Sequence, residues 1–173
     1  MSQRRNPSTT RRRIVALPLV ALLPTVRPVQ AQAPADTSAS PDAPPSFTSR
    51  AGELLFRAMA LLGTRYSRGG RSPETGFDCS GFVGYLFREV MNLTLPRSAH
   101  EIVRLGEEVD AHSLEPGDLV FYNTLRRPFS HVGIFIGDGK FIHAPASGGA
   151  VRTERMDERY WRTRWNGARR IGT

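Results

Sequence analysis

The stretch from His131 to His143 (HVGIFIGDGKFIH) constrains the fold more than any other part of this 173-residue chain. Its apolar residues flank Gly137-Asp138-Gly139, which is the pattern of a β-hairpin. If all three of these residues form the loop, residue numbers paired across the ladder add to 276, and His143 lies opposite Gly133, one diagonal step from His131. A two-residue loop would put the two histidines on opposite faces of the sheet.

The three-residue loop is favoured because it also sorts the apolar side chains into two coherent faces. One face gathers four aliphatic residues in a layer that we expect to be buried, Val132, Ile134, Ile136 and Ile142. The other face gathers both histidines and the residues between them, His131, Gly133, Phe135, Phe141 and His143. The glycine leaves room beside the two imidazoles. The hydrophobic pattern and the histidine pair therefore select the same register.

Cys79 is the only cysteine of the chain, and it stands where a glycine-rich loop gives way to a helix. From Phe82 onward, apolar residues recur at helical spacing to about Val90. Asp78 is a good N-cap, so Cys79 is predicted to be the first residue of this helix. Nearby backbone N–H groups and the helix dipole would favour the thiolate, which is the nucleophilic form, and could hold a tetrahedral oxyanion.

A thiolate nucleophile needs a base and a group that orients the base. The pattern assigns Cys79 as nucleophile, His131 as its base and His143 as the residue that holds the His131 ring. Spacing alone leaves open a buried structural cysteine, two structural histidines on a half-exposed sheet, or a zinc site made by these three residues. The zinc site is less favoured because no ligand pair such as CxxC or HxxxH is present. We expect no metal and no cofactor.

Residues 1–49 are predicted to lie outside the folded domain. Residues 1–33 combine an arginine-rich start, an apolar run at 14–26 and the small-residue pattern Ala31-Gln32-Ala33, which is typical of a signal peptide. Residues 34–49 are rich in Pro, Ala and Ser and are predicted to be a disordered spacer. Residues 50–173 then form one catalytic domain. We expect the mature protein to be exported, periplasmic or secreted, and not stably inserted in a membrane.

The net charge of +8 suggests a nucleic-acid partner only until the positions of the charges are considered. Six of the 24 basic residues, and no acidic residue, lie in the predicted signal peptide, which leaves 18 basic against 16 acidic side chains. A domain with this balance has no electrostatic footprint for DNA or RNA. We therefore expect no nucleic-acid partner.

Segments spread along residues 50–173 resemble the NlpC/P60 cysteine peptidases of bacterial cell walls. They are 62–66 with 69–70, 76–82, 95–98, 114–121, 131–137, and 141–145 with 147–149. The stretch around Trp161 and Trp165 is most similar to the Spr/MepS-type murein endopeptidases of that family. The resemblance implies an α+β, papain-like fold, in which N-terminal helices and a catalytic cysteine at a helix start pack on an antiparallel β-sheet.

The resemblance implies a cysteine endopeptidase that hydrolyses peptide bonds in peptidoglycan stems or cross-links, with the D-Ala–meso-diaminopimelate cross-link favoured. Its functional residues would be the triad Cys79, His131 and His143, with Tyr66, Asp78 and Ser80 in oxyanion or substrate binding. The alternatives are a γ-D-Glu–diamino-acid stem endopeptidase, an N-acetylmuramoyl-L-alanine amidase and a non-catalytic murein-binding module. The partner is then peptidoglycan or its muropeptides, and any regulatory protein partner is left unidentified.

The pattern also predicts where the elements of the domain lie. Helices are expected at 51–62, 79–90 and 98–104. Strands are expected at 119–123, 131–136, 140–143 and 151–153, and near 168–172. Loop 123–130 (NTLRRPFS) has no familiar pattern and is assigned no role.

Overall fold

A computed structural model describes residues 47–146 and 149–172 of the chain. The predicted signal peptide at 1–33 and residues 34–46 of the predicted spacer lie outside these described residues. The elements follow in the order α1 (Phe47–Ala60), β1 (Arg71–Ser72), β2 (Gly76–Phe77), α2 (Cys79–Met91), α3 (Ala99–Ile102), β3 (Glu107–Val109), β4 (Leu119–Tyr122), β5 (His131–Gly137), β6 (Lys140–His143), β7 (Arg152–Arg155), α4 (Arg159–Arg162) and β8 (Trp165–Arg170). Within the described ranges, no helix has both the length and the apolar character needed to cross a membrane.

The main helices and strands match the sequence prediction, whereas the short elements do not. Helix α1 begins at Phe47, so its first residues overlap the end of the predicted spacer. Helix α3 is shorter than predicted, and its N-cap Ser98 accepts a hydrogen bond from the backbone N–H of Glu101. The β1–β2 pair, β3 and α4 are not predicted from the sequence, because elements of two to four residues are too short to show a periodicity.

Six strands form one antiparallel sheet in the spatial order β3-β8-β4-β5-β6-β7. Strand β8, at the C-terminal end of the chain, inserts between β3 and β4. Strands β5 and β6, which carry the two histidines, lie inside the sheet, because β4 pairs with β5 and β7 pairs with β6. Helices followed by an antiparallel sheet confirm the α+β class.

The β5–β6 hairpin has the predicted register beside the histidines but not the predicted loop. Ile134 pairs with Ile142 and Phe135 with Phe141, so the residue numbers add to 276 there. The three-residue loop is wrong: Gly137 pairs with Lys140, which leaves a two-residue turn at positions 138–139. The register shifts between Phe135 and Gly137, because one extra residue in β5 forms a bulge that offsets the shorter turn.

Both faces of the sheet are buried under apolar side chains. On one face, aliphatic residues of the hairpin join a large cluster with α1 and α2, in which Leu54, Phe82 and Leu86 are fully buried. On the other face, Phe135 and Phe141 join a smaller cluster with Tyr122 and Trp161. The two layers predicted for the hairpin are therefore present, and α4 covers the histidine-bearing face.

Candidate active site

Cys79 is the first residue of α2, and Asp78 caps this helix as predicted. Asp78 Oδ1 accepts hydrogen bonds from the backbone N–H of Gly81 at 2.7 Å and from Ser80 Oγ at 3.0 Å. Asp78 Oδ2 accepts one from the backbone N–H of Gly69 at 2.9 Å. The cap therefore ties the preceding loop to the helix start and sets the position of the thiol.

His131 and His143 lie together on β5 and β6. Nε2 of His131 is 2.7 Å from Nδ1 of His143, and the ring planes are 89° apart. Gly133 makes this approach possible, because a Cβ atom there would lie 2.7 Å from Phe141 Cδ2 and 3.2 Å from His143 Cβ. Since Nε2 of His131 contacts His143, its Nδ1 is the ring nitrogen that remains for another partner.

A cavity of about 310 Å³ brings Cys79, Tyr66 and His131 together. His143 is fully buried behind His131 and does not line this cavity. The remaining lining residues come from loop 123–130, the segment after β6 and α4: Thr124, Leu125, Ser130, Ala144, Pro145, Ala146, Tyr160 and Trp161. Loop 123–130, which has no assigned role in the sequence analysis, therefore forms part of the wall.

Asp78 and Ser80 line a different cavity, of about 140 Å³, next to Arg71 and Arg97. Both side chains are occupied by bonds within the protein, since Ser80 Oγ lies 2.8 Å from the carbonyl oxygen of Arg97 and 3.0 Å from Asp78. Their observed contacts hold the start of α2 in place. A direct contact with substrate remains a prediction for these two residues.

Burial governs the protonation of the thiol and the imidazole. It raises the pKa of Cys79 to about 11, although backbone N–H groups, among them that of Val132, act in the opposite direction. Burial and the neighbouring His143 lower the pKa of His131 to about 3, against the attraction of Glu154. The free site therefore holds a neutral thiol and a neutral imidazole. Desolvation therefore acts against the thiolate that the N–H groups of the helix start would favour.

Trp161 is a residue of the site that the sequence analysis missed. Its ring stacks on His131 with centroids 5.6 Å apart and meets His143 edge-on at 5.0 Å. Trp161 is itself buried, so it keeps water from this side of the histidine pair. No local signal marks this role, because α4 is a short helix far along the chain from both histidines.

Glu154 is the second residue that the sequence analysis missed. Strand β7 pairs Arg152 with His143, so Glu154 lies two residues further along on the same face, diagonal to His143. The indole N–H of Trp161 donates a hydrogen bond to its carboxylate. A prediction of β7 beyond residue 153 would have shown this placement, since β7 ends at Arg155.

The histidine pair is not arranged as a metal site. Within residues 47–146 and 149–172, no three His, Cys, Asp or Glu side chains are grouped to hold an ion. A shared ion would need a nitrogen of each ring turned toward it, whereas Nε2 of His131 and Nδ1 of His143 contact each other. The geometry therefore favours a hydrogen-bonded pair over the zinc alternative.

Residues 63–170 match the profile of the NlpC/P60 family. The chain is 39% identical over 122 residues to murein DD-endopeptidase MepH of Escherichia coli, a match that covers 69% of this chain and 45% of that protein. It is 45% identical over 109 residues to murein DD-endopeptidase MepS/murein LD-carboxypeptidase of Escherichia coli, covering 63% and 56%. It is 41% identical over 119 residues to gamma-DL-glutamyl hydrolase of Bacillus subtilis, covering 68% and 29%.

The chain spans about half the length, or less, of these curated relatives. Among solved structures, it resembles an NlpC/P60 family protein from Bacillus cereus with a TM-score of 0.66 and 31% sequence identity. That likeness covers 75% of this chain and 41% of the other.

Proposed function

Because the chain belongs to the NlpC/P60 family, we propose that it is a cysteine endopeptidase that hydrolyses peptide bonds in peptidoglycan. The observation that carries this proposal is the shared cavity of Cys79 and His131, with His143 held against the far side of the His131 ring. The relatives named as murein DD-endopeptidases favour the D-Ala–meso-diaminopimelate cross-link as the bond that is cut.

In the proposed reaction, Cys79 attacks the carbonyl carbon of the scissile bond. Its thiol is neutral beforehand, so Nδ1 of His131 takes the proton as the C–S bond forms. The oxyanion develops at the start of α2, where backbone N–H groups and the Tyr66 hydroxyl are the available donors. Burial, with further contributions from Cys79 and Asp78, raises the pKa of Tyr66, so its hydroxyl keeps the proton that it donates.

The second half of the reaction returns the proton. His131 protonates the leaving amine as the C–N bond breaks, which leaves an acyl group on the sulfur of Cys79. Water then attacks the carbonyl carbon of the thioester while His131 accepts a proton from that water. The C–S bond breaks, the new carboxylic acid leaves, and His131 returns the proton to the sulfur of Cys79. Throughout, His143 holds the His131 ring and stabilises the imidazolium.

A second candidate bond is the γ-D-Glu–diamino-acid bond of the peptide stem. The identity to gamma-DL-glutamyl hydrolase favours it, since that relative is named for the same kind of linkage. An amidase and a non-catalytic murein-binding module are the remaining alternatives. Under each of these alternatives the substrate is peptidoglycan, which lies outside the cytoplasm. The proposal therefore includes an export signal at residues 1–33.

The test is digestion of peptidoglycan sacculi and purified muropeptides, with products identified by mass spectrometry. We expect cross-linked dimers to disappear and intact monomers to appear with the wild-type protein and not with Cys79→Ala or His131→Ala. His112→Ala is the matched control, because His112 is exposed and outside the cavity. Shortened stems would instead indicate the γ-D-Glu bond, and stem-free glycan an amidase. Binding without any product would contradict the proposed function and favour a binding module.

A further inference from the structure

Glu154 lies at the end of a row of side chains that begins at the cavity. Behind His131 comes His143, and Oε1 of Glu154 is 3.7 Å from Nε2 of His143. The carboxylate also accepts hydrogen bonds from Arg152 Nε at 2.5 Å and from the indole N–H of Trp161. Its side chain is only 17% exposed, so this anion is held at the back of the site rather than on the surface.

Nε2 of His143 is a buried nitrogen for which Glu154 is the evident partner. No hydrogen-bonding partner lies within reach of it among the described residues. A buried polar group without a partner is costly, and a shift of about 0.8 Å would bring the Glu154 oxygen to ordinary hydrogen-bond distance. A carboxylate can only accept, so it selects the form of His143 that carries its proton on Nε2.

The proton on His143 decides which nitrogen of His131 is basic. With its proton on Nε2, His143 offers the lone pair of Nδ1 to His131, whose Nε2–H then donates across the 2.7 Å contact. The lone pair of His131 is therefore on Nδ1, where it can take the proton of the thiol. The opposite tautomer of His143 would donate from Nδ1, put the His131 proton on Nδ1 and block that step.

The charge of Glu154 acts in the same direction as the tautomer. Burial raises the pKa of its carboxyl, but the neighbouring His143 ring and the hydrogen bonds from Arg152 and Trp161 outweigh burial and lower the pKa to about 2, so the group is an anion. Its attraction raises the pKa of His131, whereas Arg152 lowers it. Among the described residues, the phenol of Tyr122 also interacts with Glu154, and burial raises the pKa of this phenol, so it is neutral.

We propose that Glu154 is a positioning residue that sets the tautomers of His143 and His131 and stabilises the imidazolium formed on His131. This inference rests on the proposed function of the site, since it gives His131 the role of base. Glu154 does not line the cavity and need not touch the substrate. Its removal should therefore affect the chemical step more than substrate binding.

The first experiment compares Glu154→Gln with Asp157→Asn. Both changes remove one negative charge from the same segment, but Asp157 is exposed and pairs with Arg155. We expect kcat of Glu154→Gln on a muropeptide substrate to fall between about 10-fold and 10³-fold with little change in KM, because a wrong tautomer mainly costs kcat. Asp157→Asn should keep the wild-type values. Wild-type kcat in Glu154→Gln would overturn the inference.

The second experiment reads the tautomers directly, by ¹⁵N NMR of the histidine rings in the whole protein. We expect both His143 and His131 to carry their protons on Nε2 in the wild-type protein, and Glu154→Gln to increase the Nδ1-protonated form of His131. A wild-type His143 protonated on Nδ1 would overturn the inference. This measurement needs no turnover and its first part needs no variant, so a wild-type His143 protonated on Nδ1 would count against the role of Glu154 even if the protein cleaves nothing or Glu154→Gln fails to fold.

Discussion

At the scale of single residues, the site is defined by groups held in their neutral form. Cys79 lies at a helix N-terminus, a position that usually favours the thiolate, yet burial raises the pKa of its thiol and favours the protonated form. His131 is kept neutral by the same cause and by His143 beside it. The nucleophile therefore forms only as the proton moves to His131 during attack. The buried histidine also couples the site to the stability of the domain.

We predict that the protein loses stability in acid largely through His131. Its folded-state pKa of about 3 lies below the ordinary value of 6.5, so between these values the unfolded chain binds the extra proton. The contribution is complete above about pH 6.5, and the free energy of unfolding falls by up to about 1.4 kcal/mol per pH unit as the pH drops from there toward 3. Urea unfolding at a series of pH values measures this slope.

The matched variants for this measurement are His131→Gln and His112→Gln. His131→Gln should flatten the slope, leaving the part due to His143, whose pKa burial also lowers. His112 is exposed, so its replacement should leave the slope unchanged. An equal slope in wild-type protein and His131→Gln would show that His131 is not a buried neutral group.

At the scale of elements, the β5–β6 hairpin and the start of α2 bring the reacting groups together. The hairpin places both histidines on one face because a bulge in β5 offsets a two-residue turn. Helix α2 approaches the preceding loop closely, since a Cβ on Gly81 would lie 2.0 Å from the carbonyl oxygen of Gly70. Glycines at such positions allow neighbouring segments to pack closely. Replacing one of them with alanine therefore tests whether this close packing is needed.

We predict that Gly133→Ala destabilises the hairpin and lowers activity. The new Cβ would lie 2.7 Å from Phe141 Cδ2 and 2.9 Å from the carbonyl oxygen of Ile142, so backbone and His143 must move. The expected loss is about 1–3 kcal/mol, as for other overpacked sites. Gly84→Ala is the control: nothing lies within 4 Å of its Cβ, and in the middle of α2 it should stabilise by about 0.5–1 kcal/mol. Urea unfolding and muropeptide digestion of both variants measure the two effects.

At the scale of the whole molecule, a buried ion pair joins β8 to the residue that precedes its neighbouring strand β4. Asp118, just before β4, is fully buried and accepts hydrogen bonds from Arg170 at 2.8 and 2.9 Å. Arg170 is the last residue of β8, so this pair ties the C-terminal strand to the middle of the sheet. Asp118 has no access to solvent, so Arg170 provides a counter-charge beside its buried carboxylate.

We predict that Arg170→Gln lowers the free energy of unfolding by about 3 kcal/mol, because it leaves the Asp118 carboxylate buried without its counter-charge. The control is Arg57→Gln, which breaks the exposed pair with Glu53, where both side chains are 48% exposed. That change should cost much less, because solvent screens an exposed pair. Urea unfolding of the two variants gives the comparison, and equal losses would contradict a special role for the buried pair.

The sequence by itself determined the elements that carry the reacting groups. Asp78 marks the start of α2, and the alternation of β5 and β6 predicts one face for His131 and His143, because caps and strand periodicity depend only on neighbouring residues. The family motifs are local for the same reason. Short elements carry too few residues for such a signal, which is why α4, and Trp161 with it, was missed.

Only the tertiary structure decided the protonation of the site and the residues behind it. The neutral state of Cys79 and His131 comes from desolvation, which depends on every element that covers a side chain rather than on its neighbours in sequence. Trp161 reaches the histidines from α4, and Glu154 reaches His143 through the pairing of β6 with β7. The Trp161 contacts join elements whose packing no local pattern could specify, whereas the Glu154 contact also depended on the full length of β7, which the sequence prediction cut short at residue 153.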